Sequence, residues 1–208
     1  GIPGWENQVG ALGWERISLS SVQREEHRAL EGLNMVEAAE KLGLSPVEAF
    51  FHLMLTEKGQ ITIIVFSMDE RDVDAAIQAP FTMLGSDGLP ILSGRPHPRL
   101  YGTFPRFIRR YVRELKSLKL EQAIAKVTAF PAARFGIAER GVIAPGKVAD
   151  LVIFDPEQIC DRATYLDPQV YPEGILAVII SGKPVVLRGQ LQANWPGKLL
   201  APGAQVVE

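Results

Sequence analysis

The chain has 208 residues, a hydrophobic fraction of 47%, a charged fraction of 22% and a formal net charge of −2. This length suits one domain or one and a half with a sizeable core, and the charge excludes a general attraction to nucleic acid or acidic lipid. A single cysteine, Cys160, excludes an internal disulfide framework, and no stretch approaches the ~20 apolar residues that span a bilayer.

The opening Gly1-Ile2-Pro3-Gly4-Trp5 has no initiator Met, no basic n-region and no apolar h-region. It reads as an internal start rather than a secretory signal, and with the lone cysteine it favours a cytoplasmic compartment. Arg16 to Val22 alternates apolar and polar residues and predicts a strand, followed by a charged loop from Gln23 to Gly32. In that loop His27 reads as solvated. Asn34 with Glu37 three residues on predicts a capped helix through Leu42, stopped by Gly43. Ser45-Pro46 opens the next helix, Val47 to Leu55, on which His52 reads as a satisfied, partly buried histidine.

Ile61 to Phe66 is β-branched and nearly continuous, the pattern of a strand buried on both faces. Asp69 caps a helix from Glu70 to Ile77, and Phe81 to Leu84 reads as a further buried strand. Strands and helices at this spacing argue parallel βαβ units. After a Pro/Gly-rich loop, Leu89 to Pro105, helices are expected over Phe107 to Leu115 and Leu120 to Thr128, then a turn from Pro131 to Phe135. Arg106, Arg109, Arg110 and Arg113 share one broad helix face, read as solvated or partner-facing. From about residue 139 the composition changes to a small β unit: a strand over Ala149 to Asp155, a strand over Ile175 to Ile180 and its hairpin partner Pro184 to Arg188. The domains are therefore placed at 1–138 and 139–208. Cys160, within the β unit, reads as a small packing residue rather than a metal ligand.

The Phe81 to Leu84 run ends in Gly85-Ser86-Asp87-Gly88, which delivers one carboxylate to a sharp turn, as catalytic strand ends do. An Asp that merely hydrogen-bonds its own turn fits the same four residues. The basic segment Arg95 to Arg99 offers partners for an anionic substrate. Arg99 suits a bidentate carboxylate clamp, and equally a loop-anchoring salt bridge.

Three further segments carry a resemblance. Gly141 to Asp155, with Gly-Val-Ile-Ala-Pro-Gly-Lys-Val-Ala-Asp-Leu, and the hairpin Val178 to Gly189 are similar to the segments where metal-dependent amidohydrolases leave their barrel and rebuild a β-sandwich. Gly85 to Gly88, His97-Pro-Arg-Leu-Tyr-Gly-Thr-Phe-Pro-Arg106, Tyr165 to Pro168 and Tyr171 to Gly174 together resemble the C-terminal half of the N-acyl-D-amino-acid deacylases, or D-aminoacylases. The resemblance implies an α/β fold: the C-terminal portion of a (β/α)8 barrel followed by part of a β-sandwich. It implies zinc-dependent removal of an acyl group from an N-acyl-D-amino acid. Asp87 takes the place of the family's strand-end aspartate, a metal ligand and proton acceptor. Arg99 is expected to hold the substrate α-carboxylate, with Ser86, His97, Tyr101 and Ser21 (beside Ser20) lining the site. The family's His-x-His, its mid-barrel histidines and its bridging Cys, Glu or modified Lys match no position here. Most zinc ligands are thus expected outside this chain, which needs a partner carrying the first half or self-associates. A cyclic-amide hydrolase of the hydantoinase type fits the 141–155 segment equally, and a non-catalytic scaffold of the same fold fits the missing ligands.

Overall fold

A computed structural model describes residues 3–90 and 93–200. The first two residues of the Gly1 to Trp5 start, residues 91–92 of the predicted 89–105 loop and the last eight of the predicted 139–208 domain lie outside them. The fold is mixed α/β, in two compact units. The first comprises Gly1–Asp72, Gly88–Leu100 and Ala163–Val170, the second Val73–Asp87, Tyr101–Arg162 and Tyr171–Glu208. Among the described residues neither a closed barrel nor a two-sheet sandwich forms, and no helix is long and apolar enough to cross a membrane.

In the first unit, α1 (Gln8–Leu12) and a 3₁₀ turn lead into β1 (Ile17–Ser21). Next come a 3₁₀ helix (Glu25–Leu30), α2 (Met35–Leu42), α3 (Pro46–Thr56), β2 (Thr62–Val65) and the start of α4 (Glu70–Gln78). Both predicted caps form as capping boxes. Asn34 accepts from the Val36 and Glu37 N–H groups and Ser45 from Glu48 N–H, while each glutamate side chain returns a bond to its cap residue. Gly43 ends α2 at φ +67, where a side chain would be strained. Ile17, Leu19, Leu30, Met35, Ala38, Ala39, Ala49 and Leu53 form the core. Full burial of residues such as Leu19 and Leu53 stabilises the unit by about 1.5–3 kcal/mol each.

β1 and β2 pair antiparallel, not parallel as their spacing suggested. One crossover helix returns the chain for a parallel strand; the α2–α3 pair adds another reversal, so β2 enters backwards. Nor is β2 buried on both faces, since Ile63 is 46% exposed. The register Ile17↔Val65, Ser18↔Ile64, Leu19↔Ile63 slips before Ser21↔Thr62. Ser20 is thereby bulged out of the ladder.

The second unit holds the rest of α4, then most of α5 (Arg99–Phe107), a π-helix (Ile108–Glu114), α6 (Leu120–Val127) and α7 (Ala129–Arg134). β3 (Leu151–Phe154), β4 (Ile175–Ile180), β5 (Lys183–Leu187) and β6 (Gln190–Leu191) follow as one antiparallel meander in chain order. Phe107, Ile108, Tyr111, Ala123 and Ile159 are its core. The helix predicted over Phe107 to Leu115 is largely the π segment, and α5 precedes it inside the predicted loop. Pro105, placed at the end of the predicted loop, sits within α5. The predicted strand at Phe81 to Leu84 does not form: Phe81 is 85% exposed and the stretch has no ladder partner.

The arginine face is ion-paired and only partly solvated, with Arg106 half exposed and Arg109 and Arg110 mostly covered. Arg109 pairs with Asp161 at 2.7 Å and Glu114 at 2.6 Å, Arg106 with Asp161 at 3.6 Å, and Arg110 with Asp74 at 3.3 Å. Tyr111 donates to Asp74 at 2.6 Å. Burial first, then this bond to a carboxylate, pushes the Tyr111 phenol up to about 12, and the same bond, with Arg110, holds Asp74 below the usual carboxylate range.

Candidate active site

The bulge in β1 is where the first unit gathers the predicted site segment. Ser20, out of the ladder, donates its hydroxyl to the Arg95 carbonyl at 2.8 Å and accepts the Arg95 N–H on its own carbonyl at 2.7 Å. A bulge re-aims a residue in this way without breaking the strand. Gly94 makes the approach possible. At φ +67, a Cβ there would lie 2.5 Å from the Ser20 carbonyl oxygen and 2.6 Å from the Ser21 Cβ. Gly94→Ala is therefore expected to destabilise the unit by roughly 1–3 kcal/mol and open residues 93–98 to limited proteolysis. Unchanged thermal unfolding would remove this account.

From Arg95 the chain runs through buried Pro96 to His97, whose ring is fixed by its neighbours. Its Nδ1 lies 3.1 Å from the Arg99 backbone N–H, which can only donate. Nδ1 is therefore the unprotonated nitrogen, Nε2 carries the hydrogen, and Tyr165 Oη at 3.3 Å accepts it. Tyr165 stacks edge-on against both His97 and Phe66, with centroids 5.1 and 4.9 Å away. Gln169 donates to the Gly94 carbonyl at 3.3 Å. The Arg99 main chain is thus set at the first turn of α5 by an imidazole whose orientation aromatic packing secures. Ser21 is buried at 3% exposure against Gly94.

The first unit therefore brings Ser20, Ser21, His97 and Arg99 into one connected arrangement. Ser86, Asp87 and Tyr101 belong to the second unit. There Asp87 is exposed and adopts φ +47, the left-handed conformation that Asp and Asn tolerate better than other side chains. Tyr101 stacks edge-on with Tyr171, centroids 5.6 Å apart.

Sequence reasoning missed three buried ionisable groups. His27, read as solvated, is 4% exposed, and its Nδ1 meets Glu57, itself 3% exposed. Glu57 also accepts from the Gln23 N–H at 2.7 Å and the Arg24 N–H at 3.2 Å. Burial pulls the Glu57 carboxyl upward, but the His27 bond and the two main-chain bonds outweigh it and hold it below the usual range. An ionised carboxylate only accepts, so His27 carries its proton on Nδ1. His52, read as partly buried, is exposed, its ring centroid 5.7 Å from that of His27. Lys126, on α6, is the third missed group. No local signal marks any of these, because their partners lie 30 to 47 residues away. Cys160 is half-buried and donates weakly to the Asp161 carbonyl.

A cavity of about 830 Å³ in the first unit is lined by Trp14, Ile17, Leu19, Leu53, Met54 and Ile61 among others, and by none of the predicted site residues. Among the described residues no three His, Cys, Asp or Glu side chains gather as a metal site. A zinc hydrolase centre needs about three protein ligands, so the residues present do not hold zinc by themselves.

The sequence profile of the amidohydrolase family matches residues 2–186. N-acyl-D-glutamate deacylase of Alcaligenes xylosoxydans xylosoxydans is 40% identical over 180 residues, 86% of this chain and 36% of that protein. D-aminoacylase of the same organism is 41% identical over 172 residues, 83% of this chain and 34% of that protein. A crystal structure of N-acyl-D-glutamate deacylase from Bordetella bronchiseptica, complexed with zinc and a phosphonate mimic of the tetrahedral intermediate, superposes with a TM-score of 0.80. It is 39% identical and the match covers 90% of this chain and 38% of that one. The chain thus spans a little over a third of the length of these relatives.

Proposed function

The chain belongs to the amidohydrolase family and to its N-acyl-D-amino-acid deacylase group, and on that premise we propose that it is the C-terminal part, a little over a third rather than the half expected from its sequence, of a zinc-dependent N-acyl-D-amino-acid deacylase. The enzyme hydrolyses the amide of an N-acyl-D-amino acid to a carboxylate and a free D-amino acid. The observation that carries this reading is the 39% identity, at a TM-score of 0.80, to a deacylase holding zinc and a mimic of its tetrahedral intermediate. In this reading residues 1–138 are part of a (β/α)8 barrel and 139–208 part of a β-sandwich.

Asp87 is the chain's contribution to chemistry. Its carboxylate takes a proton from the attacking water and passes it to the leaving nitrogen, which otherwise departs as a poor leaving group. The residue sits exposed in a left-handed turn. Arg99 pairs with the substrate α-carboxylate through its guanidinium fork, its main chain held by His97. Substrate contacts are assigned to Ser86 and Tyr101 in the second unit and to Ser21 and His97 in the first. Asp87 would be one zinc ligand, with the others supplied by the rest of the enzyme, in the same polypeptide or a partner chain.

Metal analysis with a deacylase assay tests the proposal. An N-terminally extended protein is expected to bind zinc stoichiometrically and to release the amino acid from N-acyl-D but not N-acyl-L substrates. The 208-residue chain is expected to hold little zinc. Equal zinc in both forms, or activity confined to cyclic amides, would overturn it.

A further inference from the structure

We propose that Lys126 is the positioning residue of the Asp87 turn, clamping from α6 the segment that delivers Gly85-Ser86-Asp87. The clamp stands on geometry; its bearing on catalysis rests on the deacylase reading given to Asp87 above. Lys126 is 4% exposed. Its ammonium donates to the Ala79 carbonyl, the Thr82 carbonyl and the Thr82 hydroxyl, the last two at 3.0 Å. An ammonium has three donors, so all are spent on one four-residue stretch, with no carboxylate among the acceptors. The main chain of the same residue holds the far end, because the Leu84 N–H donates to the Lys126 carbonyl at 3.2 Å. Thr82 in turn donates its hydroxyl to the Ala76 and Ala79 carbonyls at 2.8 and 2.9 Å, at the end of α4.

A catalytic strand end normally draws its rigidity from a ladder. Among the described residues, 81–84 make no ladder, and their side chains alternate between exposed and half-buried. Within this chain the segment is held by Lys126 and by the packing of Leu84 against the second core. Asp87 follows Leu84 by three residues, so the clamp sets the base of its turn. Burial also lowers the proton affinity of Lys126, a penalty that a methionine filling the same space would not carry. What methionine lacks is the ability to gather three oxygens. A reacting group misplaced by about 1 Å can cost up to about a hundredfold in rate.

In the N-terminally extended enzyme, Lys126→Met is expected to lower kcat by roughly tenfold to a hundredfold with KM within about threefold. Zinc content stays that of the wild type, and amide exchange quickens over residues 79–88. Thr82→Val, which removes one acceptor and leaves α6 intact, is expected to lower kcat by about threefold to fivefold, and it carries the test if Lys126→Met does not fold. Ala123→Gly, buried on the same helix, controls for general loosening: stability falls and kcat holds. A wild type without deacylase activity sinks the deacylase reading, and unchanged exchange over 79–88 in Lys126→Met then sinks the clamp as well. An active wild type whose kcat survives Lys126→Met, or falls equally in Ala123→Gly, overturns the positioning role alone.

Discussion

Asp87→Asn in the N-terminally extended enzyme is expected to lower kcat by about a thousandfold, within the 10²–10⁴ range of a lost general acid–base group. Asn is the informative replacement because it tolerates the φ of +47 as Asp does. The side chain is exposed, so its amide disturbs no core. Loss of activity with an unchanged thermal midpoint therefore isolates the chemistry. Asp87→Ala is expected to lose the same activity and, in addition, about 1 kcal/mol of stability, because alanine strains in the left-handed region. Retention of more than a tenth of wild-type kcat by Asp87→Asn would remove Asp87 from the proton path.

Glu57→Ala carries the largest expected loss of stability, roughly 2–4 kcal/mol, because it leaves several buried donors without their acceptor. His27 Nδ1 and the Gln23 and Arg24 N–H groups would all lose that partner. Such a loss is a large share of a typical domain's stability. The pH dependence follows from the direction of the Glu57 shift. Its carboxyl sits lower in the folded chain than in the unfolded one. The stabilisation is therefore complete above the ordinary glutamate value of 4.5 and disappears as pH falls through the lowered folded value. Urea midpoints between pH 7 and 3 check this: Glu57→Gln is expected to show a shallower acid limb than the wild type. Parallel limbs would mean that other carboxylates govern acid unfolding.

The parts of this molecule legible in its sequence are those whose causes lie within a few residues. Asn34 with Glu37, Ser45 with Glu48 and Gly43 place α2 and α3 because a cap bonds three positions away. The β3–β4–β5 meander is legible through its turn residues, Gly182 above all, at φ +77. Family motifs mark Asp87, His97 and Arg99, but not how they are held. What the sequence hides depends on distant partners. Phe81 to Leu84 has a strand's composition, yet only a neighbouring ladder makes a strand, and none comes. The spacing of Arg106, Arg109 and Arg110 shows a shared face but not Asp161 or Asp74 opposite it. The Pro/Gly content of Leu89 to Pro105 reads as loop, yet α5 takes in Pro105 and runs on to the π segment.

The carboxylate beneath the Gln23–Leu30 segment also has a temporal meaning. The Val22, Gln23 and Arg24 N–H groups are satisfied by side chains, Glu31 for the first and Glu57 for the other two. Glu57 follows directly on α3, more than thirty residues downstream of those amides. Closing so long a loop is entropically slow, so the segment has little reason to settle before α2 and α3 have docked. Its order is inherited rather than intrinsic. In a refolding chain, the stretch directly after β1 settles only once α3 has brought Glu57 beneath it.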